Sequence, residues 1–237
     1  MKKHINKLLL YSLVVGLSVI IVFAIQLLTK QKREETVFST DCNAPCWRYI
    51  IPGKTTIQEA YNLVSNFPDK ESSHIEYSPA LQSIIDSYIS FNLSNGIKVE
   101  MYAVNDIVIL IAFYDDNGIT TFGKCISEFG PPEIAGQSYY WSYGLPILPT
   151  QAKHILFVAL SPQKGIAYTY DTYTYLGTKQ NVSPESIISE IDYFDSKYYD
   201  DLLQDGRLVF SEAGHKKNVL YPWIGFGNIF ELYPSEN

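Results

Sequence analysis

Histidine is scarce in this chain, with four among 237 residues, at positions 4, 74, 154 and 215. These histidines are scattered, and neither H-E-x-x-H nor G-x-S-x-G occurs in the sequence. Those two patterns mark zinc proteases and serine hydrolases, whose chemistry needs a base or a metal ligand at fixed spacing. The sequence therefore predicts no metal site, no cofactor and no catalytic activity.

A complete phosphate-binding loop is also missing. Gly53-Lys54-Thr55 resembles the end of such a loop, but the loop needs a glycine five positions before Gly53, where Arg48 stands. Thr56 and Glu59 instead have the spacing of a capping box, in which each side chain accepts from the other residue's backbone N–H. This segment predicts the start of a helix.

Positive charge is scarce after Arg33. All 25 acidic residues lie beyond that position, against 12 lysines and arginines there, a difference of 13. Such a surface repels phosphate backbones and anionic headgroups. Nucleic acid is therefore excluded as a partner, and a small-molecule ligand is not expected.

The chain has only three cysteines. Cys42 and Cys46 are separated by one residue more than a redox-active C-x-x-C pair, and no further zinc ligand lies near them in sequence. We predict a structural disulfide between them, which is typical of an oxidising compartment. Cys125 lies in a helical pattern and is expected to be a buried apolar residue.

The longest apolar run extends from Leu8 to Leu28, and its 21 residues carry no charge. About 20 such residues let a helix cross a bilayer. A cleaved signal peptide would have a shorter core followed by small residues, which Ile25–Thr29 does not offer. The run predicts a single transmembrane helix. Three basic residues flank each end, so the orientation depends on the cysteine pair, which favours an extracytoplasmic C-terminal part.

Two stretches of the chain repeat one pattern. Gly53-Lys54-Thr55-Thr56 lines up with Gly118-Ile119-Thr120-Thr121 at an offset of 65 residues, and each is followed by a helix and by alternating strands. The sequence thus predicts an α+β fold with two tandem α-β-β-β units and antiparallel sheets. The predicted strands are Tyr88–Leu93, Ile97–Val104 and Ile107–Tyr114 in the first unit, and Ser138–Tyr143, His154–Leu160 and Gly165–Tyr170 in the second.

The G-x-T start, the helix and the Gly130-Pro131-Pro132 end resemble the small α/β lipoprotein domains of the outer-membrane assembly protein BamE. Tandem copies of that fold occur in the β-lactamase inhibitor protein. The chain departs from the pattern by an extra threonine in each copy, and by a membrane span where BamE carries a lipid. Pro45-Cys46-Trp47 and Ile51–Thr56 are also similar to uncharacterised bacterial membrane-anchored proteins. Both resemblances imply a non-catalytic domain that presents a sheet surface to a partner.

Aromatic residues are concentrated in the strands of the second unit. Exposed strand tyrosines offer flat amphipathic faces to sugars or proteins. The alternative is ordinary sheet packing, which also favours aromatic residues. The predicted binding surface consists of Trp141, Tyr139, Tyr168, Tyr170, Tyr173 and Tyr175.

A third helix is predicted to start at Ser183-Pro184-Glu185, which combines a cap residue with proline in the first turn. The chain from Tyr198 is expected to be irregular, with Trp223–Gly227 folding back onto the body. The buried face of the third helix would consist of Ile187, Ile188, Ile191 and Phe194.

Together these patterns predict a single-pass, membrane-anchored extracytoplasmic interaction module without catalysis, whose partner is another envelope protein. One alternative is an envelope glycan hydrolase that uses paired aspartates, either Asp200 with Asp201 or Asp192 with Asp195. Another, which rests on the resemblance, is an anchored inhibitor of a secreted enzyme. The predicted organisation is a cytoplasmic N-terminus (1–7), a transmembrane helix (8–28), a linker (29–41), a first α/β repeat (42–115), a second α/β repeat (116–180), and a C-terminal helix with an irregular tail (181–237).

Overall fold

The computed structural model divides the chain into two units, Met1–Phe38 and Ser39–Asn237. The structure describes residues 15–25, 38, 42–70, 76–79, 84–115, 118, 120–141, 152–175, 179–205, 207–208 and 219–234. Of these, residues 76–79, 138–141, 152–154 and 173–175 are described by their backbone alone.

In the first unit, residues 15–25 form helix α1, and its side chains are exposed. The predicted span 8–28 extends beyond α1 at both ends, and 8–14 and 26–28 lie outside the described residues, as do 1–7 and most of the predicted linker. Among the helices that the structure describes, none combines the length and the apolar character that crossing a bilayer requires.

The second unit is built on one nine-stranded sheet in the order β1-β2-β3-β4-β9-β7-β6-β5-β10. Every neighbouring pair in it is antiparallel, so the predicted α+β class with antiparallel pairing is confirmed. A separate two-stranded ladder joins β8 to β11. The strands are β1 Glu76–Pro79, β2 Ser87–Asn92, β3 Lys98–Val104, β4 Ile107–Tyr114, β5 Ile134–Trp141, β6 Ala152–Ser161, β7 Ile166–Tyr175, β8 Asn181–Val182, β9 Glu190–Phe194, β10 Leu220–Pro222 and β11 Gly227–Asn228.

The sheet has two halves with the same order of elements. In the first half, helix α2 (Ile57–Ser65) precedes β1 to β4, and in the second half, helix α3 (Phe122–Phe129) precedes β5, β6, β7 and β9. The backbone before α2 bridges the start of β4 at Thr56 and Ile107, and the backbone before α3 bridges the approach to β9 at Thr121 and Ile187. Since β4 and β9 are antiparallel neighbours, a rotation by 180° about the sheet normal relates the two topologies. We call the β4–β9 ladder the seam.

Local signals account for the first half. Thr56 and Glu59 form the predicted capping box, which satisfies the free N–H groups at the start of α2. Asn105 and Asp106 both have positive φ, at 50° and 64°, and make the tight turn between β3 and β4. The predicted strand Ile107–Tyr114 is confirmed, and its six middle residues are buried on both faces.

The predicted helix after Ser183 is wrong. Ser183 Oγ accepts from the backbone N–H of Glu185, and Ser183 O accepts from Ser186 N, so the serine closes a turn instead of capping a helix. The chain then forms β9, which inserts between β4 and β7. All five residues of β9 are buried, because both faces of the sheet are covered there.

The side of the sheet that faces α2 and α3 is called the helix face. Phe113 and Ile191 lie on it, and Phe122 of α3 packs edge to face against Tyr168. The segment 223–233 also covers this face, because Trp223 stacks on Phe122 with ring centroids 5.6 Å apart. The predicted return of Trp223–Gly227 onto the body is therefore confirmed.

The other side of the sheet is called the α4 face, after helix α4 (Tyr199–Gln204). Leu202 of α4 and Leu208 pack there against Phe194 in one apolar cluster. A short helix α5 (Ile229–Leu232) follows β11. Cys125 is buried within α3, as predicted, and burial raises the pKa of its thiol.

Candidate functional site

Five of the six residues in the predicted binding surface lie at one corner of the sheet. β9 pairs with β7 only over Ile166–Thr169. The rest of β7 therefore extends beyond β9, together with β6, which pairs with β7, and β5, which pairs with β6. We define residues 138–141, 152–155 and 170–175 as the aromatic corner. The register there places Tyr139 opposite Ile155 and Trp141 opposite Lys153. The corner holds Tyr139 and Trp141 of β5 and Tyr170, Tyr173 and Tyr175 of β7. In the register, Tyr170 shares a face of the sheet with Tyr139 and Trp141, and Tyr173 and Tyr175 lie on the opposite face.

Tyr168, the sixth residue, does not belong to an open surface. Its side chain is 0% exposed and lies on the helix face, where Phe122 and Phe129 pack against its ring at centroid distances of 5.8 and 6.1 Å. Burial raises the pKa of its hydroxyl. The prediction for Tyr168 is corrected, because sheet packing explains this tyrosine.

Tyr170 is half-buried at the base of the corner. The side-chain amide of Gln180 donates to the Tyr170 hydroxyl at 3.2 Å and to the Thr172 hydroxyl at 2.9 Å. Gln180 immediately precedes β8, so these bonds fix the entry of that strand against β7. The side chains of Tyr139, Trp141, Tyr173 and Tyr175 lie outside the described part of the structure.

The predicted disulfide between Cys42 and Cys46 is confirmed, with a Cα–Cα distance of 5.7 Å. The next residue, Trp47, is completely buried and packs edge to face on Phe67 and Phe113. The disulfide therefore leads directly into the core of the first half.

Arg48 holds this entry in place. Its two terminal nitrogens each donate to one carboxyl oxygen of Asp69 at 2.6 Å. Its guanidinium also lies 5.0 Å from the Trp47 ring centroid and 4.8 Å from that of Phe67. A bidentate, stacked arginine of this kind is rigid. Arg48, whose φ is +47°, therefore has a structural role, and the segment does not form a phosphate site.

Two carboxyl groups that the sequence patterns did not single out as a pair lie inside the seam. Glu190 and Asp192 are alternate residues of β9 and point to the α4 face, where they are 7% and 1% exposed. Asp192 lies between Ala112 of β4 and Ala167 of β7 in the register. The carboxyl of Asp192 hydrogen-bonds with that of Glu190, and apart from Glu190 neither of its oxygens has a hydrogen-bond partner within the described residues.

A polar group from β3 and β4 borders this pair. Glu100 of β3 lies opposite Ala112 of β4, on the side of Ala112 away from Asp192. The carboxylate of Glu100 accepts a hydrogen bond from Tyr102 Oη and forms a 2.6 Å ion pair with Lys98. Tyr114 lies between Lys98 and Glu190 in the next row. Arg207 completes the group from the segment after α4, with its guanidinium 4.5 Å from the Tyr102 ring centroid.

The electrostatics of this group differ from one carboxyl to the next. Burial raises the pKa of Glu190 to about 7, and the nearby charge of Glu100 adds to this, while a hydrogen bond from Tyr114 opposes it. Burial and then the charge of Glu190 raise the pKa of Asp192 well above its usual range. Burial acts in the same direction on Glu100, but its bonds to Lys98 and Tyr102 outweigh it and lower the pKa.

The aspartate pairs considered for a hydrolase do not converge in this way. Asp200 and Asp201 are exposed in the first turn of α4. Asp195 comes three residues after Asp192, so the two point to opposite faces of the extended chain. The carboxyl of Asp195 accepts from the backbone N–H of Lys197 and starts the short helical turn there.

Within the described residues, no group of three or more His, Cys, Asp or Glu side chains is arranged to hold a metal ion. Comparison of the chain with protein-family models, curated proteins and solved structures finds no significant match. The resemblance to BamE and to the β-lactamase inhibitor protein therefore stays a prediction.

Proposed function

We propose that this protein is a membrane-anchored, extracytoplasmic binding module without catalytic activity. The observation that carries the proposal is the aromatic corner, where β5 carries Tyr139 and Trp141 and β7 carries Tyr170, Tyr173 and Tyr175. Tyrosine and tryptophan are enriched at protein interfaces, because they bury a large apolar area and retain a hydrogen-bonding group. The proposed partner is another envelope protein.

The proposed location rests on two features. The disulfide between Cys42 and Cys46 is of the kind that persists in oxidising compartments. The uncharged run Leu8–Leu28 contains α1, on which Val15, Ile20 and Phe23 are each more than 60% exposed. Side chains of this kind favour hydrocarbon over water. We propose that this run anchors the protein as a single span.

The proposed architecture is a tandem repeat. Each half of the sheet has one helix and four strands in the same order, one strand more than the sequence pattern predicts. The two helices share their start pattern at the 65-residue offset. The start of α2 bridges β4, and the start of α3 bridges the chain just before β9. We propose that the halves are two copies of one unit, which together make a sheet wide enough to bind a protein.

The test is photo-crosslinking of the full-length protein in native envelope extract, followed by mass spectrometry. The variants are Tyr139→Ala and Trp141→Ala, which shorten two aromatic side chains of the corner. The matched control is Tyr49→Ala, because Tyr49 is a 66% exposed tyrosine in the turn between Trp47 and Ile50, away from the corner.

We expect one protein to be enriched with the wild type and with Tyr49→Ala. Each corner variant is expected to reduce its recovery about tenfold or more, as loss of a ~2 kcal/mol interface contact does. Equal recovery with all variants would overturn the corner as the binding surface. A secreted enzyme as the recovered partner would identify the module as an anchored inhibitor.

An envelope glycan hydrolase is the second candidate, on the strength of Glu190 alone. Acid–base groups in hydrolases often have pKa values near neutrality, as the carboxyl of Glu190 does at about 7. The burial of Glu190 and Asp192 argues against contact with a glycan. Recovery of trimmed glycan instead of a protein, abolished by Glu190→Gln, would establish this candidate and overturn the first.

A further inference from the structure

The seam contains two acidic side chains where an antiparallel sheet would ordinarily have apolar ones. Glu190 and Asp192 point to the same face of β9, with Cα atoms about 7 Å apart as alternate residues of a strand. Both are buried, and the strand that carries them is the only link between the β1–β4 and β7–β5 ladders in the sheet order of the described residues.

The surroundings do not neutralise this pair by ion pairing. From β4 it is faced by Tyr114, and from β3 by Lys98, Glu100 and Tyr102, of which Lys98 is paired with Glu100. From β7 the neighbours in register are Thr169 and Ala167, which do not titrate. From the segment after α4, Arg207 lies over Tyr102 and 3.5 Å from a carboxyl oxygen of Asp205.

A buried carboxylate without a partner is strongly destabilising, and such a group takes up a proton instead. Asp192 is 1% exposed, its carboxyl oxygens have no hydrogen-bond partner among the described residues other than Glu190, and its flanks in the register are the small side chains Ala112 and Ala167. The only acidic neighbour on its own strand face is Glu190. A proton held by this pair satisfies both carboxyl groups.

We propose that Glu190 and Asp192 form a proton-binding site inside the seam, and that release of the proton to solvent loosens the attachment of the two halves to each other. The folded protein is then more stable at mildly acidic pH than at alkaline pH. This inference concerns the sheet alone, so it holds or fails independently of the membrane anchor and the binding partner.

The direction in which stability changes with pH follows from the difference in proton binding between the folded and unfolded states. The pKa of Glu190 is raised from 4.5 to about 7 in the folded protein, so the folded state binds more protons than the unfolded state between those values. The contribution to stability is full below about pH 4.5 and is lost as the pH rises through 7. Between pH 5 and pH 8, Glu190 alone is expected to reduce the folding equilibrium constant by roughly 50-fold to 100-fold.

The experiment is urea unfolding of the full-length protein in detergent at pH 5, 6, 7 and 8, followed by tryptophan fluorescence. The test variant is Glu190→Gln, whose neutral amide replaces the protonated acid at the same size. The matched control is Glu185→Gln, which removes one negative charge from an exposed position five residues before Glu190.

We expect the wild type and Glu185→Gln to lose stability in parallel between pH 5 and 8. Glu190→Gln is expected to lose at least tenfold less in the folding constant over the same range. An unchanged pH dependence in Glu190→Gln would overturn the proposal.

A second measurement on the wild type does not depend on whether the variant folds. Carbon-13 NMR of labelled Glu and Asp carboxyl groups follows each titration directly. A buried carboxyl that still holds its proton at pH 6 and loses it near 7 supports the proposal. Titration of every glutamate and aspartate below about pH 5 would overturn it.

Discussion

The two halves of the sheet have the same order of elements, yet they are joined and covered differently. In the first half, Asn105 and Asp106 alone connect β3 to β4. In the second, residues 176–189 connect β7 to β9 and contain β8. The first half is closed by Trp47 and the Arg48–Asp69 ion pair, and the second by the C-terminal segment 223–233.

This difference shows how one topology can be stabilised by local or by distant parts of the chain. Trp47 lies ten residues before α2 begins. Trp223 stacks on Phe122 of α3 and lies about a hundred residues after Phe122 in the chain. Contacts between distant residues form later in folding, and closing the longer loop costs about 0.6 kcal/mol more entropy for each doubling of its length. The first half is therefore expected to be the more robust of the two.

The largest effect is expected for Trp47→Ala. Trp47 is fully buried against Phe67, Phe91 and Phe113, so its removal leaves a large cavity and costs about 3–5 kcal/mol. Trp223→Ala removes a half-buried ring and is expected to cost about 1–3 kcal/mol. Urea unfolding measures both, and a larger loss in Trp223→Ala would reverse the proposed ranking of the halves.

The next effect concerns the fit of β9 at the seam. Gly165 and Gly118 have φ of +67° and +66°, so alanine has a similar conformational cost of about 1–2 kcal/mol at either site. At Gly165 the new Cβ would also collide with the backbone carbonyl of Phe194, and at Gly118 it would meet only the side chain of Ile187 at 3.0 Å. We expect Gly165→Ala to cost about 1–3 kcal/mol more than Gly118→Ala. Equal thermal midpoints would show that the turn moves away from β9 freely.

A smaller difference is expected at the helix starts. Thr56 belongs to a reciprocal capping box with Glu59, whereas Thr121 only accepts from the backbone N–H of Lys124. We expect Thr56→Ala to cost about 1 kcal/mol and Thr121→Ala less. Lys124→Glu would complete a capping box at the start of α3 and is expected to stabilise the folded protein by about 0.5 kcal/mol. Thermal unfolding of these three variants tests whether the caps differ as the contacts indicate.

The smallest effect is the response of α2 to acid. Hydrogen bonds from the backbone and side chain of Thr56 lower the pKa of Glu59 below its usual value of 4.5. The contribution of the box is therefore present above that value and is lost as the pH falls through the lowered pKa. Amide hydrogen exchange at pH 3 and pH 6, corrected for the intrinsic rate, should show α2 losing protection in acid while α3 does not. A similar loss in both helices would mean that acid acts on the whole sheet.

Much of the first half follows from short-range patterns. The capping box at Thr56 and Glu59, the turn at Asn105-Asp106 and the doubly apolar strand Ile107–Tyr114 each depend on residues close in sequence. The signals are the spacing of a capping threonine and glutamate, an Asn-Asp pair that favours a tight turn, and an apolar run. Each can be recognised without knowledge of the rest of the chain. The fold class and the disulfide follow from the same kind of signal.

The second half depends on contacts that no local pattern contains. Ile187, Ile188 and Ile191 have helical spacing, yet the turn at Ser183 and the open position between β4 and β7 make the following residues a strand. The helical interpretation also paired Asp192 with Asp195 and so missed its partner Glu190. The alternation of Glu190 and Asp192 with Ile191 and Tyr193 was the available signal.

The aromatic corner was only partly predictable, because it also depends on contacts between distant parts of the chain. Strand periodicity placed Tyr139, Trp141 and Tyr170 in strands, but the strand pairing alone decides that β9 stops short of the corner. Tyr168 illustrates the limit, since only the position of α3 shows that this tyrosine is covered. Exposure is a property of the assembled fold and is not encoded in the residue type.

The late position of β9 in the chain has a consequence for biosynthesis. When a ribosome has completed the first half, the edge of β4 that faces the seam has no strand partner, and it stays so until about eighty further residues have been added. During that interval the nascent chain presents a flat, apolar edge that is prone to pair with other extended chains. Export through a membrane in an unfolded state would delay folding until β9 is available. A ribosome that stalls before Glu190 would instead release an aggregation-prone fragment, because that fragment lacks the strand that pairs with β4.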